Sequence, residues 1–223
     1  MRVIAVNGSP RKNWNTATLL QKALEGAKSA GAETELINLY DLNFKGCTSC
    51  FACKRKNSKN AGHCAMQDDL TTVLEKVQKS DVLLLGSPIY FGNVTAAIRA
   101  LLERLLFSNL SYNEGHRSVF QGKLSTGFIY TMNVPEEFLK RVNYEENVFN
   151  HYKNLLQLLN GSSEFITATD TYQFDDYSKY EASMFDVKHK AEVKEKQFPI
   201  DCQKAYEMGE RLAKNMRETP LGN

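Results

Sequence analysis

Four cysteines fall within eighteen residues: Cys47, Cys50, Cys53 and Cys64, two C-x-x-C steps followed by a returning thiol. A fifth, Cys202, stands alone, so the clustering is not a by-product of composition. Thiolates bind iron or zinc by virtue of their charge, and successive C-x-x-C turns can present three sulfurs to one centre. Left unligated, the same residues are free or redox-active thiols. A [4Fe–4S] cluster, a zinc site and a redox-active thiol group all remain open on this pattern. Met1 and Arg2 lead straight into Val3-Ile4-Ala5-Val6, which does not resemble a secretory leader. A reducing cytoplasm is therefore expected, where such clusters signal metal or redox chemistry more often than structural disulfides.

Two further segments carry polar chemistry. The first runs from Asn7-Gly8-Ser9-Pro10-Arg11 to Asn15-Thr16-Ala17, between an apolar run and an amphipathic one. A loop that leaves a strand and feeds a helix N-terminus is an anion site, because backbone N–H groups converge there and the helix dipole favours negative charge. Ser9, Asn15 and Thr16 add donors and Arg11 a guanidinium, while neither G-x-G-x-x-G nor the P-loop pattern is present. This lining suits a terminal phosphomonoester such as that of FMN; the alternative is an ordinary Ser/Asn-capped helix start. The second segment is Ser87-Pro88-Ile89-Tyr90-Phe91-Gly92-Asn93, whose turn and aromatic surface suit a planar ring. Its alternative role is packing under the next helix.

Short apolar runs alternating with amphipathic stretches must position these segments. Candidate strands are Arg2–Val6, Glu33–Leu39, Val82–Gly86, Ser125–Thr131 and Phe165–Thr169. Between them, Val94, Ile98, Leu101, Leu102 and Leu105 form one apolar helical stripe, with Arg99, Glu103 and Arg104 off it, and Glu103 and Arg104 are read as structural ion-pair residues. The last helix repeats the device from Cys202 to Met216. The expected fold is α/β, a doubly wound parallel five-stranded sheet in the order 2-1-3-4-5, with the ligand crevice where the order reverses between the first and third strands. We expect one domain over 1–223 with two excursions, 41–67 carrying the cysteines and 171–197 rich in tyrosine, the latter folding over a ligand edge or a second subunit. Asp68-Asp69 is expected to cap the next helix. His63, His116, His151 and His189 form no metal spacing.

A formal charge of +2 with both signs intermixed argues against a nucleic-acid surface, and no apolar stretch is long enough to span a bilayer.

Together, Gly8-Ser9-Pro10-Arg11-Lys12 with Asn15-Thr16, the cysteine run with Asp68-Asp69, and Ser87 to Gly92 resemble the flavodoxin-like NAD(P)H-dependent FMN reductase superfamily, and the cysteines resemble its iron–sulfur flavoprotein branch. The specific motifs run from Met1 to about Leu106. The resemblance implies FMN phosphate at Ser9, Arg11, Asn15, Thr16 and Ala17. It implies the flavin ring against Pro88, Ile89, Tyr90, Phe91, Gly92 and Asn93, with a third loop at Thr131-Met132-Asn133 and no protein acid or base named. Conditional on a [4Fe–4S] cluster, Cys47, Cys50, Cys53 and Cys64 are its ligands, although the ten-residue spacer Lys54–His63 is longer than in typical cluster-binding members. It also implies NAD(P)H as co-substrate, a small-molecule acceptor such as a quinone, nitro or azo compound or flavin, and a homodimer or homotetramer. Two other functions stay open: electron transfer with a ferredoxin-like partner, and a non-enzymatic thiol or metal sensor.

Overall fold

Apolar runs that alternate their side chains between two covered faces build a parallel sheet. The computed structural model describes residues 1–115 and 117–218, so His116 lies outside the described residues. The strands are β1 Arg2–Asn7, β2 Glu33–Asn38, β3 Val82–Tyr90, β4 Asn93–Val94, β5 Leu124–Thr131 and β6 Asn160–Ala168. They pair in the order β2-β1-β3-β5-β6, all parallel, which is the expected 2-1-3-4-5 once the two-residue β4 is set aside. β4 folds back antiparallel on the end of β3.

The period of two assigns each side chain to a layer. Val3, Ala5, Val82, Leu84 and Ile129 pack with α1 (Asn15–Ser29) and the last helix. Ile4, Val6, Leu83, Leu85, Phe128 and Tyr130 pack on the other face, with α2 (Asp69–Gln78), α3 (Ala96–Asn109) and the aromatic helical region that follows β5. That region comprises α4 (Glu136–Arg141), a π-helical turn at Glu145–Asn150 and α5 (His151–Leu156). The expected stripe Val94, Ile98, Leu101, Leu102 and Leu105 is buried throughout. No helix among the described residues is long and apolar enough to cross a membrane.

Three boundaries differ from the sequence reading. β3 extends past Gly86 to Tyr90, because Ser87 and Pro88 continue the register against Tyr130 and Thr131 of β5. The last strand begins at Asn160 rather than Phe165; its polar start shows no apolar run because it is a half-exposed edge, tied down where the Asn160 amide donates to the carbonyls of Phe120 and Gly122. The tyrosine-rich excursion is irregular only in its first half. From Val187 it is helical, as α6 (Val187–Glu192), a π-helical turn (Val193–Gln197) and then α7 (Phe198–Glu218). Asp186 starts it by accepting from the N–H groups of Lys188 and His189.

α1 and α7 approach backbone to backbone through two glycines. A Cβ at Gly209 would stand 1.8 Å from the Ala23 carbonyl oxygen, and one at Gly26 would stand 2.0 Å from that of Tyr206. Gly209→Ala should therefore destabilise the fold by about 1–3 kcal/mol through forced helix separation, despite the roughly 1 kcal/mol helix-propensity gain. Urea denaturation checks this. An unchanged or raised midpoint would show that the helix pair yields without cost.

Candidate functional site

The carboxyl edge of β1, β3 and β5 holds a cavity of about 470 Å³. Ser9, Arg11, Asn15, Thr16, Pro88, Ile89, Tyr90, Phe91, Thr131 and Met132, ten of the residues expected at a flavin, line it together with Trp14, Asn133, Thr171, Tyr172 and Gln173. The three loops, far apart in sequence, meet because β1 and β3 are neighbours and β5 is next to β3. Ala17 lies instead in the core under α1, fully buried. Gly92 and Asn93 form the turn behind the wall. Phe91 and Gly92 both adopt left-handed backbone, with φ of 48° and 82°, and Asn93 accepts a 2.7 Å hydrogen bond from the Tyr152 hydroxyl.

The first loop is braced by hydrogen bonds to its neighbours. The Gly8 N–H donates to the Gly86 carbonyl at 2.8 Å, Thr95 donates its hydroxyl to the Gly8 carbonyl at 2.8 Å, and Ser9 N–H donates to the Asn7 side chain at 3.0 Å. Thr16 and Thr131 share a buried 2.7 Å hydrogen bond that ties the first and third loops together. The helix behind them is informative by contrast with α2. At α2, Asp68 and Thr71 complete a capping box and Asp69 adds a first-turn acid, as expected of Asp68-Asp69. At α1 no side chain caps the N-terminus and the first turn has no acid. Its first N–H groups and positive dipole end favour an anion. The ordinary Ser/Asn-capped start is not what forms.

The tyrosine-rich segment supplies the remaining wall. Tyr172 presents its carbonyl to Trp14 Nε1 at 3.0 Å and to Asn15 Nδ2 at 2.9 Å, and Gln173 presents its own to Arg11 Nη1 at 2.6 Å. The Arg11 guanidinium also stacks 4.7 Å from the Trp14 ring. Lys190 of α6 is buried, pairs with Asp170 and donates to the Asn133 carbonyl at 2.6 Å, pinning the third loop. Sequence pattern missed Lys190 and Asp170, whose contact spans a turn and a helix. The Asp186 cap upstream was the available signal.

The cysteines gather at the far end of α3. Cys47, Cys50, Cys53 and Cys64 line one small hollow with Phe51, Met66, Phe107 and Arg104. All four are free thiols, as is Cys202. Ser49 and Phe51, flanking Cys50, hold left-handed backbone at φ 54° and 56°, a conformation that costs non-glycine residues about 1 kcal/mol or more each. Among the described residues no three His, Cys, Asp or Glu side chains form a group for a single metal ion. In a [4Fe–4S] cluster each thiolate takes a separate iron, so four sulfurs around one hollow fit that donor set. His63, beside Cys64, is exposed.

Arg104 is the structural ion-pair residue expected, paired with Asp68. It is only 1% exposed, at the border of the apolar stripe three residues after Leu101. Its Nη1 bonds both carboxylate oxygens of Asp68, at 2.6 and 2.7 Å, and the Lys45 carbonyl at 3.2 Å; Nη2 donates to the Met66 carbonyl at 3.2 Å and Nε to the Cys64 sulfur at 3.3 Å. One guanidinium thus clasps both ends of the cysteine loop. Burial opposes ionisation of Asp68, but the bonds from Arg104 and from the Lys45 and Leu70 N–H groups outweigh it and hold the carboxyl below its usual range. Burial pushes the Cys53 thiol up, with neighbouring Lys54 opposing. Lys54 itself donates to the carbonyls of Ser108 and Leu110 at 3.3 and 2.5 Å and so closes the C-terminal end of α3.

Comparison with known proteins matches residues 1–173 to the model of the NADPH-dependent FMN reductases. The chain belongs to that family. Several curated relatives carry iron–sulfur names: an iron-sulfur flavoprotein of Archaeoglobus fulgidus is 37% identical over 127 residues, 57% of this chain and 60% of that protein. One of Methanocaldococcus jannaschii is 39% identical over 104 residues, 47% of this chain and 51% of that protein. The chain thus spans about half to three fifths of the length of these curated relatives. Among solved structures, an NAD(P)H:quinone oxidoreductase from Methanothermobacter marburgensis superposes with a TM-score of 0.67 at 17% identity, covering 100% of this chain and 98% of that one. An azoreductase from Bacillus anthracis superposes at 0.65 with 11% identity, covering 95% and 99%. These likenesses show that the chain has the flavodoxin-like fold.

Proposed function

We propose that the chain is an FMN-dependent NAD(P)H oxidoreductase that passes electrons to a small acceptor such as a quinone, nitro or azo compound, or flavin. The observation that carries this reading is the single cavity lined by ten of the expected flavin-contacting residues and facing the uncapped start of α1. Ser9, Asn15, Thr16 and the first N–H groups of α1 would hold the phosphate, with Arg11 at its outer side. Pro88 to Phe91 and Thr131 to Asn133 would flank the ring, and the Tyr172–Gln173 strap would exclude water from one edge. When bound, FMN supplies the hydride- and electron-accepting chemistry; the protein supplies position and electrostatics. Phe91 is fully exposed and Tyr90 half-exposed at the cavity mouth, which supports a second subunit there, as homodimer or homotetramer. The free thiols suit a cytoplasmic setting.

Flavin titration tests the reading. Arg11→Ala should weaken FMN by about 1.5–3 kcal/mol, the scale of a hydrogen bond to a charged group, and leave riboflavin affinity unchanged. Equal loss for both flavins would mean that Arg11 serves only the strap, through Gln173. No loss for either would mean that the phosphate lies elsewhere.

A second reading, an iron–sulfur flavoprotein exchanging electrons with a ferredoxin-like partner, is favoured by the four thiols around one hollow. α3 joins the two sites: Thr95 at its start bonds the first loop and Arg104 lies about 14 Å further along the axis. A visible spectrum of anaerobically purified protein separates the readings. Flavin bands alone favour the first, added broad absorbance the second, and a colourless protein a thiol or metal sensor.

A further inference from the structure

We propose that Arg104 is a positioning residue that raises the reduction potential of an iron–sulfur cluster in the cysteine hollow by donating its Nε–H to the Cys64 sulfur. The inference rests on reading Cys47, Cys50, Cys53 and Cys64 as the ligands of that cluster.

Four observations carry it. The guanidinium is buried, so its N–H dipoles act in a low-dielectric surrounding where they count for more than in water. Its planar fork is fixed at the other end: Nη1 and Nη2 are committed to Asp68, Lys45 and Met66, which leaves Nε as the group aimed at sulfur. Among the described residues, the Cys53 sulfur meets only its own backbone N–H, a bond local to the loop, whereas Arg104 brings a donor to Cys64 from another element. Finally, Asp68 neutralises the net charge of Arg104, so the directed N–H dipole, rather than a bare cation, is what Cys64 meets.

Hydrogen bonds to cluster sulfurs and ligands stabilise the electron-rich reduced form over the oxidised one, and are among the principal levers on such potentials. In the redox step one electron enters the cluster from a chemical titrant such as dithionite; no bond to the protein forms or breaks. The other positive charges of the loop are placed differently. Lys54 is turned to the end of α3, and Arg55, Lys56 and Lys59 are exposed, where salt screens them.

The experiment is anaerobic reconstitution of wild type, Arg104→Lys and Arg55→Gln, iron analysis, and potentiometric titration followed by absorbance and electron paramagnetic resonance. Arg104→Lys keeps a cation for Asp68 but loses the Nε donor. It should hold wild-type iron and titrate at a more negative potential, whereas Arg55→Gln, which removes a loop charge without a sulfur contact, should titrate with wild type. Full iron with a wild-type potential in Arg104→Lys overturns the proposal and leaves the cluster reading standing. No iron in the wild-type protein overturns the cluster reading, and this proposal with it. Should Arg104→Lys fail to fold or to take up iron, wild-type protein labelled with ¹⁵N-arginine decides. Its reduced cluster should show ¹⁵N hyperfine coupling by pulsed resonance, and absence of coupling overturns the proposal.

Discussion

Asp68→Ala is expected to destabilise the protein by about 3–5 kcal/mol, far more than an exposed carboxylate merits. Removing Asp68 strands a guanidinium with a fully buried side chain. The Lys45 and Met66 carbonyls and Cys64 remain as neutral partners, but none offsets the charge. The same substitution deletes the N-cap of α2, for about 1 kcal/mol of that total. Arg104→Met should cost less, because Asp68 retains some exposure and can rehydrate. The effect should also depend on pH. Since the folded carboxyl titrates below its ordinary value, its contribution is complete above about pH 4 and is lost as pH falls through the depressed folded value. Urea midpoints of wild type and Asp68→Ala should therefore differ most near neutrality and converge in acid. A difference under 1 kcal/mol at pH 7 would show that the guanidinium reaches water or another anion.

Anaerobically reconstituted wild type is expected to hold about four irons and matching sulfide per chain, and Cys50→Ser to hold essentially none. Cys50 is exposed at the lip of the hollow, between two residues held in left-handed backbone. That strained turn lies outside the sheet and its main helices, and Phe51 anchors it edge-on against Phe107 of α3. A serine there keeps the fold but offers iron a much poorer ligand. Flavin binding in the same variant should persist, because the cavity proposed for FMN shares no residue with the hollow. Iron-free wild type, with turnover unaltered in Cys50→Ser, would make the cysteines dispensable to the flavin chemistry.

The sheet was legible because its strands are continuous apolar runs, the form that burial on both faces demands: Val3 to Val6, Val82 to Leu85 and Phe128 to Tyr130 are all buried. β6 was legible only in its second half, since an edge strand needs no apolar start. The three loops that line the cavity could be read because strand-to-helix turns in such a sheet emerge on one edge, whatever their distance in sequence. The stripe on α3 was equally plain at its apolar positions.

What the sequence by itself determined, then, was the parallel α/β sheet, the three loops at its edge and the presence of four clustered thiols. Only the tertiary structure decided which polar residues serve those sites. Arg104 at the border of an apolar stripe reads as an ion-pair residue, but its partner and its burial appear only when Asp68, thirty-six residues earlier, is folded against it. Lys190 belongs to the third loop only because α6 turns back over Asn133. The carbonyls of Tyr172 and Gln173, which no side-chain pattern encodes, form a wall of the cavity because Trp14, Asn15 and Arg11 reach them. The reason is physical. Apolar burial repeats with the period of the local backbone and so leaves a trace in the sequence, whereas a buried charge needs one partner at one distance, and chain topology alone supplies it.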